Sequence, residues 1–356
     1  MKKVKALFSN IIELFKNVKF FGFSYLLRLG KAKKTADQII PGFFLTHVVN
    51  CLLNVGFFEK ISNKGMVNLE LFSKEKNLDK RILELLCDYL FTLRILKKNK
   101  LDYSLTKRGK FIIEMLSGVF RIIYSFEDIF HNLESLLKKE KNVDKDAVIN
   151  RKFEAKGTGE TAKLLPFPII IGIINKRKLN RVFDIGCGSA TLLIELCKNN
   201  SEIIGYGVDN SAEAINCGNE QITEGNLKGR ITLFKGDILK DFVNISGELD
   251  DIDIITATFV LHELFFEQKE KLINFLKGLR ERFNNKPLMI CENIKQGQRS
   301  LYSDPGLYSE LQLAHGIVRE QQMTREEWKE VFVKSGFNQI EERFLSFAKI
   351  AIYLIR

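Results

Sequence analysis

The sequence predicts an α/β chain. A mainly helical N-terminal domain, residues 1–145, precedes a parallel sheet wrapped by helices, residues 146–356. Three observations carry this. At 356 residues the chain is long enough for about two domains, and its 45 % hydrophobic and 28 % charged composition is that of a folded globular protein. From residue 181 onward, short apolar runs alternate with helix-like segments, the mark of parallel strands joined by crossovers. The first of these runs, from Arg181, passes through Asp184 into Gly186 and Gly188, and Leu192 to Cys197 follows at once in helical rhythm. Strand, tight glycine turn and helix in succession let a ligand touch the main chain, beside the free N–H groups of a helix start.

Taken in order, residues 4–28 mix apolar and basic side chains at the spacing of an amphipathic helix. It is read as packing on the body or on a second subunit, with contact to an anionic membrane surface as the alternative. Pro41 opens an apolar helix that ends at Gly56. Val67 to Phe72 starts a short element, and Asp79 leads into a helix through Ile82, Leu86 and Leu90. Leu96 to Leu105 reads as a hairpin with Asn99-Lys100 at its tip, and another helix follows Thr106. Helices followed by a two-stranded wing make a winged-helix unit. Such units often bind DNA through a basic helix, but here that helix carries Asp79, Glu84 and Asp88 beside Lys80 and Arg81. Nucleic acid is therefore not the expected partner; packing in a dimer is. Val119 to Lys139 reads as one long helix, Lys138 to Lys145 as a solvated turn between domains, and Leu164 to Ile174 as an apolar helix.

Charge distribution supports the same exclusion. Lys and Arg number 55 against 44 Asp and Glu, a net +11. Residues 1–34 hold nine basic residues and one acid, so most of the excess belongs to the N-terminus and not to the second domain. No stretch reads as the roughly 18 apolar residues of a membrane span, and no signal-peptide pattern is present. The six cysteines form no close pair and sit mostly in apolar segments, which points to buried thiols in a reducing cytoplasm.

The strand ends suggest the ligand. Ile203–Val208 runs into Asp209, Ile231–Lys235 into Gly236-Asp237-Ile238, Ile252–Ala257 into the turn toward His262, and Pro287–Cys291 into Glu292. In open α/β sheets ligands bind at that edge. The dinucleotide fingerprint needs a third glycine where Thr191 stands, so that match fails. Asp184-x-Gly186-x-Gly188 followed by Asp209 and Asp237 instead resembles the class I S-adenosylmethionine-dependent methyltransferases, whose donor carries an ammonium and a sulfonium. The resemblance implies a Rossmann-like fold. Asp184 would orient the glycine loop near the methionine moiety and Asp209 would accept from the ribose hydroxyls. Asp237 would accept from the adenine amino group, with Ile238 beside it. Ala190 stands where a third glycine is common in that family.

Residues 40–356 also resemble small-molecule O-methyltransferases with an N-terminal winged-helix dimerisation domain. The segment Leu261-His262-Glu263-Leu264 stands where they carry His-Asp-Trp, the histidine being the general base. The departure at Glu263 and Leu264 leaves the substrate open. Tyr308 to Gly316, with His315, resembles the related 2-oxo acid C-methyltransferases, in whose metal-containing members a histidine at each of these two positions holds a metal. The resemblance thus implies His262 and His315 as ligands to Fe or Zn, with Glu263 or Glu292 completing the shell or serving as base or hydrogen-bond acceptor. A 2-oxo acid chelates a cation through carboxylate and keto oxygens, which stabilises the enolate formed at C3. Thr324 and Glu327 have the spacing of a capping box. His47, His131 and Trp328 are read as packing, and Arg319 as a solvated arginine or a partner for a substrate carboxylate. The readings in hand are metal-assisted C-methylation of a small 2-oxo acid, metal-free O-methylation with His262 as base, and a non-catalytic cofactor-binding DNA regulator. Homodimerisation through the N-terminal domain is implied by the resemblance.

Overall fold

The computed structural model describes residues 16, 18–239, 249, 251–264, 268–304, 306–320 and 322–356. The chain divides into two compact units, Met1–Lys110 and Phe111–Arg356.

In the first unit, α1 (Phe23–Ile39), α2 (Pro41–Asn54) and α3 (Phe57–Lys64) lead into β1 (Val67–Asn68), α4 (Leu69–Glu75), α5 (Lys80–Thr92), β2 (Leu96–Asn99) and β3 (Asp102–Leu105). Asp79 caps α5 through the Ile82 amide at 2.9 Å, and such a cap contributes about 1 kcal/mol. The expected hairpin forms with Asn99 opposite Asp102, and β1 adds a third antiparallel strand on β3. Phe57, Phe58, Phe72, Leu90 and Tyr103 make the core. Lys98 of the hairpin reaches Asp88 on α5 at 2.7 Å, and the Tyr103 hydroxyl donates to the same carboxylate at 2.6 Å. Residues 4–15 and 17 of the expected N-terminal amphipathic helix lie outside the described residues. Helix α1 has no buried side chain. By length and composition alone, Phe23–Asn54 is apolar enough to cross a membrane, which the sequence reading did not anticipate.

The second unit begins within α6 (Lys107–Ser125). The long helix expected over 119–139 is broken into α6, α7 (Glu127–His131) and α8 (Leu133–Leu137). Asn132 stands at the second break, where its side-chain amide donates to the Asp128 carbonyl at 2.7 Å and competes with the helix ladder. After α9 (Val143–Asp146) come α10 (Arg151–Leu164) and α11 (Phe167–Lys176), so the apolar helix starts three residues later than expected. Phe126, Ile129, Leu136, Ile149 and Ala314 share one buried cluster. Residues 126–149 therefore pack within the second unit, whereas the sequence reading put the boundary at 145.

The remaining elements alternate. They are β4 (Arg181–Ile185), α12 (Thr191–Asn199), β5 (Ile204–Asp209), α13 (Ala212–Glu224), β6 (Ile231–Lys235), β7 (Ile254–Thr258), α14 (Leu261–Leu264), α15 (Lys269–Arg282) and β8 (Leu288–Asn293). Then follow α16 (Gln298–Ser303), α17 (Gly306–Ile317), α18 (Arg325–Lys334), β9 (Ile340–Leu345) and β10 (Ile350–Ile355). The seven strands lie in the order β6-β5-β4-β7-β8-β10-β9. The first five are parallel, and β10 runs antiparallel to both β8 and β9. Both faces of the inner strands are covered, which is why β4, β7, β8 and β10 are buried almost throughout. Val182, Ile254 and Met289 join the cluster with α11 and α12, while Phe183, Ile255 and Ile290 join the cluster with α15 and α18. The order reverses between β4 and β7, so a crevice opens at their carboxyl ends.

Candidate active site

The crevice is a cavity of about 440 Å³, and Asp184, Gly186, Gly188, Asp209, Asp237, Ile238 and Glu263 all line it. The glycine turn is held by the strand beside it. The Gly186 and Cys187 amides both donate to the Val208 carbonyl, at 2.9 and 3.0 Å. Gly186 and Gly188 have φ of 65° and 53°, in the left-handed region. A Cβ on Gly186 would lie 2.3 Å from a methyl of Val260, so this residue must be glycine on two counts. Ala190 sits at φ 59° with no exposure. An alanine there accepts the backbone cost that glycine would avoid.

The three strand-end acids differ in their surroundings. Asp209 accepts from the Gly188 amide at 2.9 Å and the Ser211 amide at 2.8 Å, and so ties the glycine loop to the next turn. Each carboxylate oxygen keeps a further lone pair for a ligand hydroxyl. Asp237 accepts from the Leu239 amide at 2.9 Å. Asp184 is buried and accepts from the Thr256 hydroxyl at 2.6 Å. Burial pushes its pKa up to about 7, with the Asp209 charge adding and Thr256 opposing.

Beyond the cavity wall lies a second set of buried polar groups. His262 Nδ1 is 2.7 Å from Glu292 Oε2, and Glu292 also accepts from the Leu261 amide at 2.9 Å. His315 Nδ1 is 2.6 Å from the Leu311 carbonyl one helical turn back, to which it donates. The two rings are 5.5 Å apart. One donor atom from each of His262, His315 and Glu320 lies within 4.8 Å of the other two, and all three residues are buried. Since both Nδ1 atoms are engaged, Nε2 is the free nitrogen of each ring. Glu320 Oε2 is 3.9 Å from His315 Nε2 and has no hydrogen-bond partner. A buried, unpartnered carboxylate oxygen facing two imidazole nitrogens fits a cation.

These groups bias one another. Burial pulls the His262 pKa down, but the charge and hydrogen bond of Glu292, helped by Glu263 and Glu320, outweigh it and raise the value to about 9. Burial and then the His262 charge lower that of His315, which favours the neutral ring.

Sequence reasoning named Glu263 and Glu292 as candidates for the third ligand. Among the described residues the grouping contains neither; it contains Glu320. Glu292 supports His262, and Glu263 faces the cavity. Glu320 is placed by the end of α17. Arg319 adopts φ 63°, and the Glu320 amide donates back to the His315 carbonyl at 2.9 Å. That is the six-to-one bond of a Schellman turn, here with arginine where glycine is usual.

Two further residues were missed. On α10, capped by Asn150, Arg151 donates from Nη1 to Glu154 at 2.7 Å and Glu263 at 3.1 Å, and from Nη2 to Glu320 at 2.9 Å. Arg151 and Glu154 line the cavity. Burial pushes Glu263 up to about 8, with the Glu154 charge adding. The helix carrying them crosses α6 closely. A Cβ on Gly157 would lie 2.6 Å from the Gly118 carbonyl oxygen, and one on Gly118 would lie 2.6 Å from that of Gly157. The Gly157-Thr158-Gly159 stretch was the available signal for this contact.

Residues 176–344 match a family model described as a methyltransferase domain. Indolepyruvate C-methyltransferase of Streptomyces griseus is 24 % identical over 183 residues, 51 % of this chain and 53 % of that protein. Methyltransferase ungE' of Aspergillus campestris is 20 % identical over 180 residues, 48 % of this chain and 52 % of that protein. The chain thus spans about half the length of the curated relatives it matches. Human N-acetylserotonin methyltransferase, solved in complex with S-adenosylmethionine, matches with a TM-score of 0.67 at 14 % identity, over 91 % of this chain and 97 % of that one. The mitomycin 7-O-methyltransferase MmcR matches with a TM-score of 0.62 at 14 % identity, over 93 % of this chain and 99 % of that one. At such identities the structures speak for the fold, while the domain match speaks for methyl transfer by residues 176–344. With acids at the ends of β4 and β5 and past β6, and no glycine at the third position that a dinucleotide needs, residues 176–344 are similar to a methyltransferase domain and fit the class I S-adenosylmethionine-dependent methyltransferases.

Proposed function

We propose that the protein methylates the carbon beside the keto group of a small 2-oxo acid, with a metal ion held by His262, His315 and Glu320. The observation that carries this reading is the buried triad, with its unpartnered Glu320 oxygen, beyond the wall of the cofactor cavity. The name of the S. griseus relative supports a 2-oxo acid acceptor. Two histidines and one carboxylate are the donor set of non-haem iron and also suit zinc, and they leave positions open for a bidentate acceptor. When bound, the metal supplies Lewis acidity that favours loss of the C3 proton.

The chain's own residues do the rest. Glu292 and the Leu311 carbonyl fix the two rings so that each Nε2 faces inward. Glu263, on the cavity wall, is the carboxylate placed to take the C3 proton. Asp184, Asp209 and Asp237 hold the cationic methyl donor at the other end of the cavity. Dimerisation through the Met1–Lys110 unit belongs to the same reading; exposed Phe23, Tyr25, Phe43 and Phe44 would supply the apolar contact.

A second reading, O-methylation with His262 as a metal-free base, draws on the Glu292–His262 bond and on the names of the structural neighbours. One experiment separates the two. The purified protein is assayed for metal content, then supplied with S-adenosylmethionine and an aryl 2-oxo acid before and after chelation. Stoichiometric metal and chelator-sensitive C-methylation are expected. Metal-free protein that methylates a hydroxyl at full rate in chelator would overturn the proposal.

A further inference from the structure

We propose that Arg151 is the positioning residue for the third metal ligand, tying Glu320 to the wall of the cofactor cavity. The inference rests on the metal reading above and deepens it. Each histidine of the triad has its outer nitrogen fixed by a partner, Glu292 for His262 and the Leu311 carbonyl for His315. Glu320 has the same arrangement. Arg151 Nη2 donates to Oε1 at 2.9 Å, while Oε2, the unpartnered oxygen, faces His315. Holding one oxygen turns the other inward.

The same guanidinium reaches the cavity. Its Nη1 donates to Glu154 and Glu263, both of which line the space for the methyl donor. Only a planar fork with five donors spans three carboxylates in this way; a lysine ammonium is a single point. Arg151 stands at the start of α10, and the Gly118–Gly157 crossing fixes that helix. A ligand at the end of α17 is thereby referenced to a helix that also borders the cofactor.

Electrostatics and positioning make opposite predictions. A cation beside a metal site repels the metal, so removing its charge should tighten binding if Arg151 is only a neighbour. If it sets the carboxylate's direction, removal should loosen binding, and outer partners of metal ligands typically change affinity about 10–100-fold. The test is zinc binding to the full chain by competition with a chromophoric chelator. Wild type is compared with Arg151→Gln and Arg151→Lys, each also in Glu320→Gln and Glu263→Gln backgrounds, with S-adenosylmethionine affinity and thermal melting measured alongside. Both arginine variants are expected to bind zinc at least about tenfold more weakly. The effect should vanish in the Glu320→Gln background and persist in the Glu263→Gln background. Unchanged or tighter zinc binding in Arg151→Gln, or an effect that survives Glu320→Gln, overturns the inference. If Arg151→Gln does not fold, Arg151→Lys and its two backgrounds decide. Wild type that binds no zinc would sink the metal reading itself, a result distinct from zinc binding that ignores Arg151.

Discussion

The charge state of Asp184 should set the pH dependence of cofactor binding. Its carboxyl is buried and has one neutral partner, Thr256. Burial raises its pKa to about 7. A donor bearing an ammonium and a sulfonium favours the carboxylate, so binding below that pH must expel a proton. Affinity should be level above about pH 7 and fall about tenfold per unit beneath it, since one pKa unit corresponds to ~1.4 kcal/mol. Stability of the unliganded protein has the opposite sign. The native pKa lies above the unfolded one, so the native state holds the extra proton between them. The Asp184 contribution is present at low pH and is lost as pH rises toward 7, by up to ~1.4 kcal/mol per unit. Other groups titrate in the same range, so the control is Asp184→Asn, which can still accept from Thr256. Calorimetric titration with S-adenosylmethionine from pH 6 to 8 should show the slope in wild type and its loss in the variant. A wild-type affinity that does not change over this range, or an equal slope in both proteins, would refute the reasoning.

Three other outcomes follow from the geometry. Gly186→Ala should retain the fold but weaken S-adenosylmethionine binding by at least about tenfold, because a Cβ would meet Val260 and φ is 65°; undiminished affinity by calorimetry would contradict the tight-turn argument. On the proposed metal reading, Glu320→Gln should cost most of the metal measured by elemental analysis while leaving S-adenosylmethionine affinity within about threefold, since it would remove the charge of one of three ligands. Gly157→Ala would gain about 1 kcal/mol of helix propensity, but its Cβ would meet a backbone carbonyl at 2.6 Å, and overpacking of this kind typically costs 1–3 kcal/mol or more; a lowered melting temperature is expected, and a raised one would mean that the crossing can open.

What the sequence disclosed follows from how each feature is encoded. Strands β4 to β8 carry short apolar runs that end at a polar edge, so their positions could be read to within two or three residues. The acids at 184, 209 and 237 were legible for the same reason. The last two strands went unread. Ile350–Ile355 is buried throughout, but no acid at the ligand edge marks an antiparallel strand returning from the far side. Glu320 was hidden because the Schellman turn that brings it beside His315 has Arg319 where glycine would have flagged it. Arg151 was hidden because two of its three partners lie 112 and 169 positions away, a relation no local pattern records. Val119 to Lys139 misled because apolar spacing continues through two breaks, at Phe126 and Asn132, that no proline or glycine marks.

The arrangement of charge gives the site its logic. Six carboxylates besides Asp237, namely Asp184, Asp209, Glu154, Glu263, Glu292 and Glu320, stand in or just behind one crevice. Burial, with mutual repulsion adding to it, drives Asp184 and Glu263 toward protonation. Each lies beside a cationic side chain or borders the space for the cationic donor. Asp184 and Asp209 border the space for a cationic donor, Glu154 and Glu263 share Arg151, and Glu292 engages His262. Only Glu320 keeps a buried oxygen without a partner, although Arg151 already holds its other oxygen. Removing an ionised oxygen from water without compensation is expensive. The metal proposed above would place a positive charge at this oxygen, which the fold fixes opposite two imidazoles.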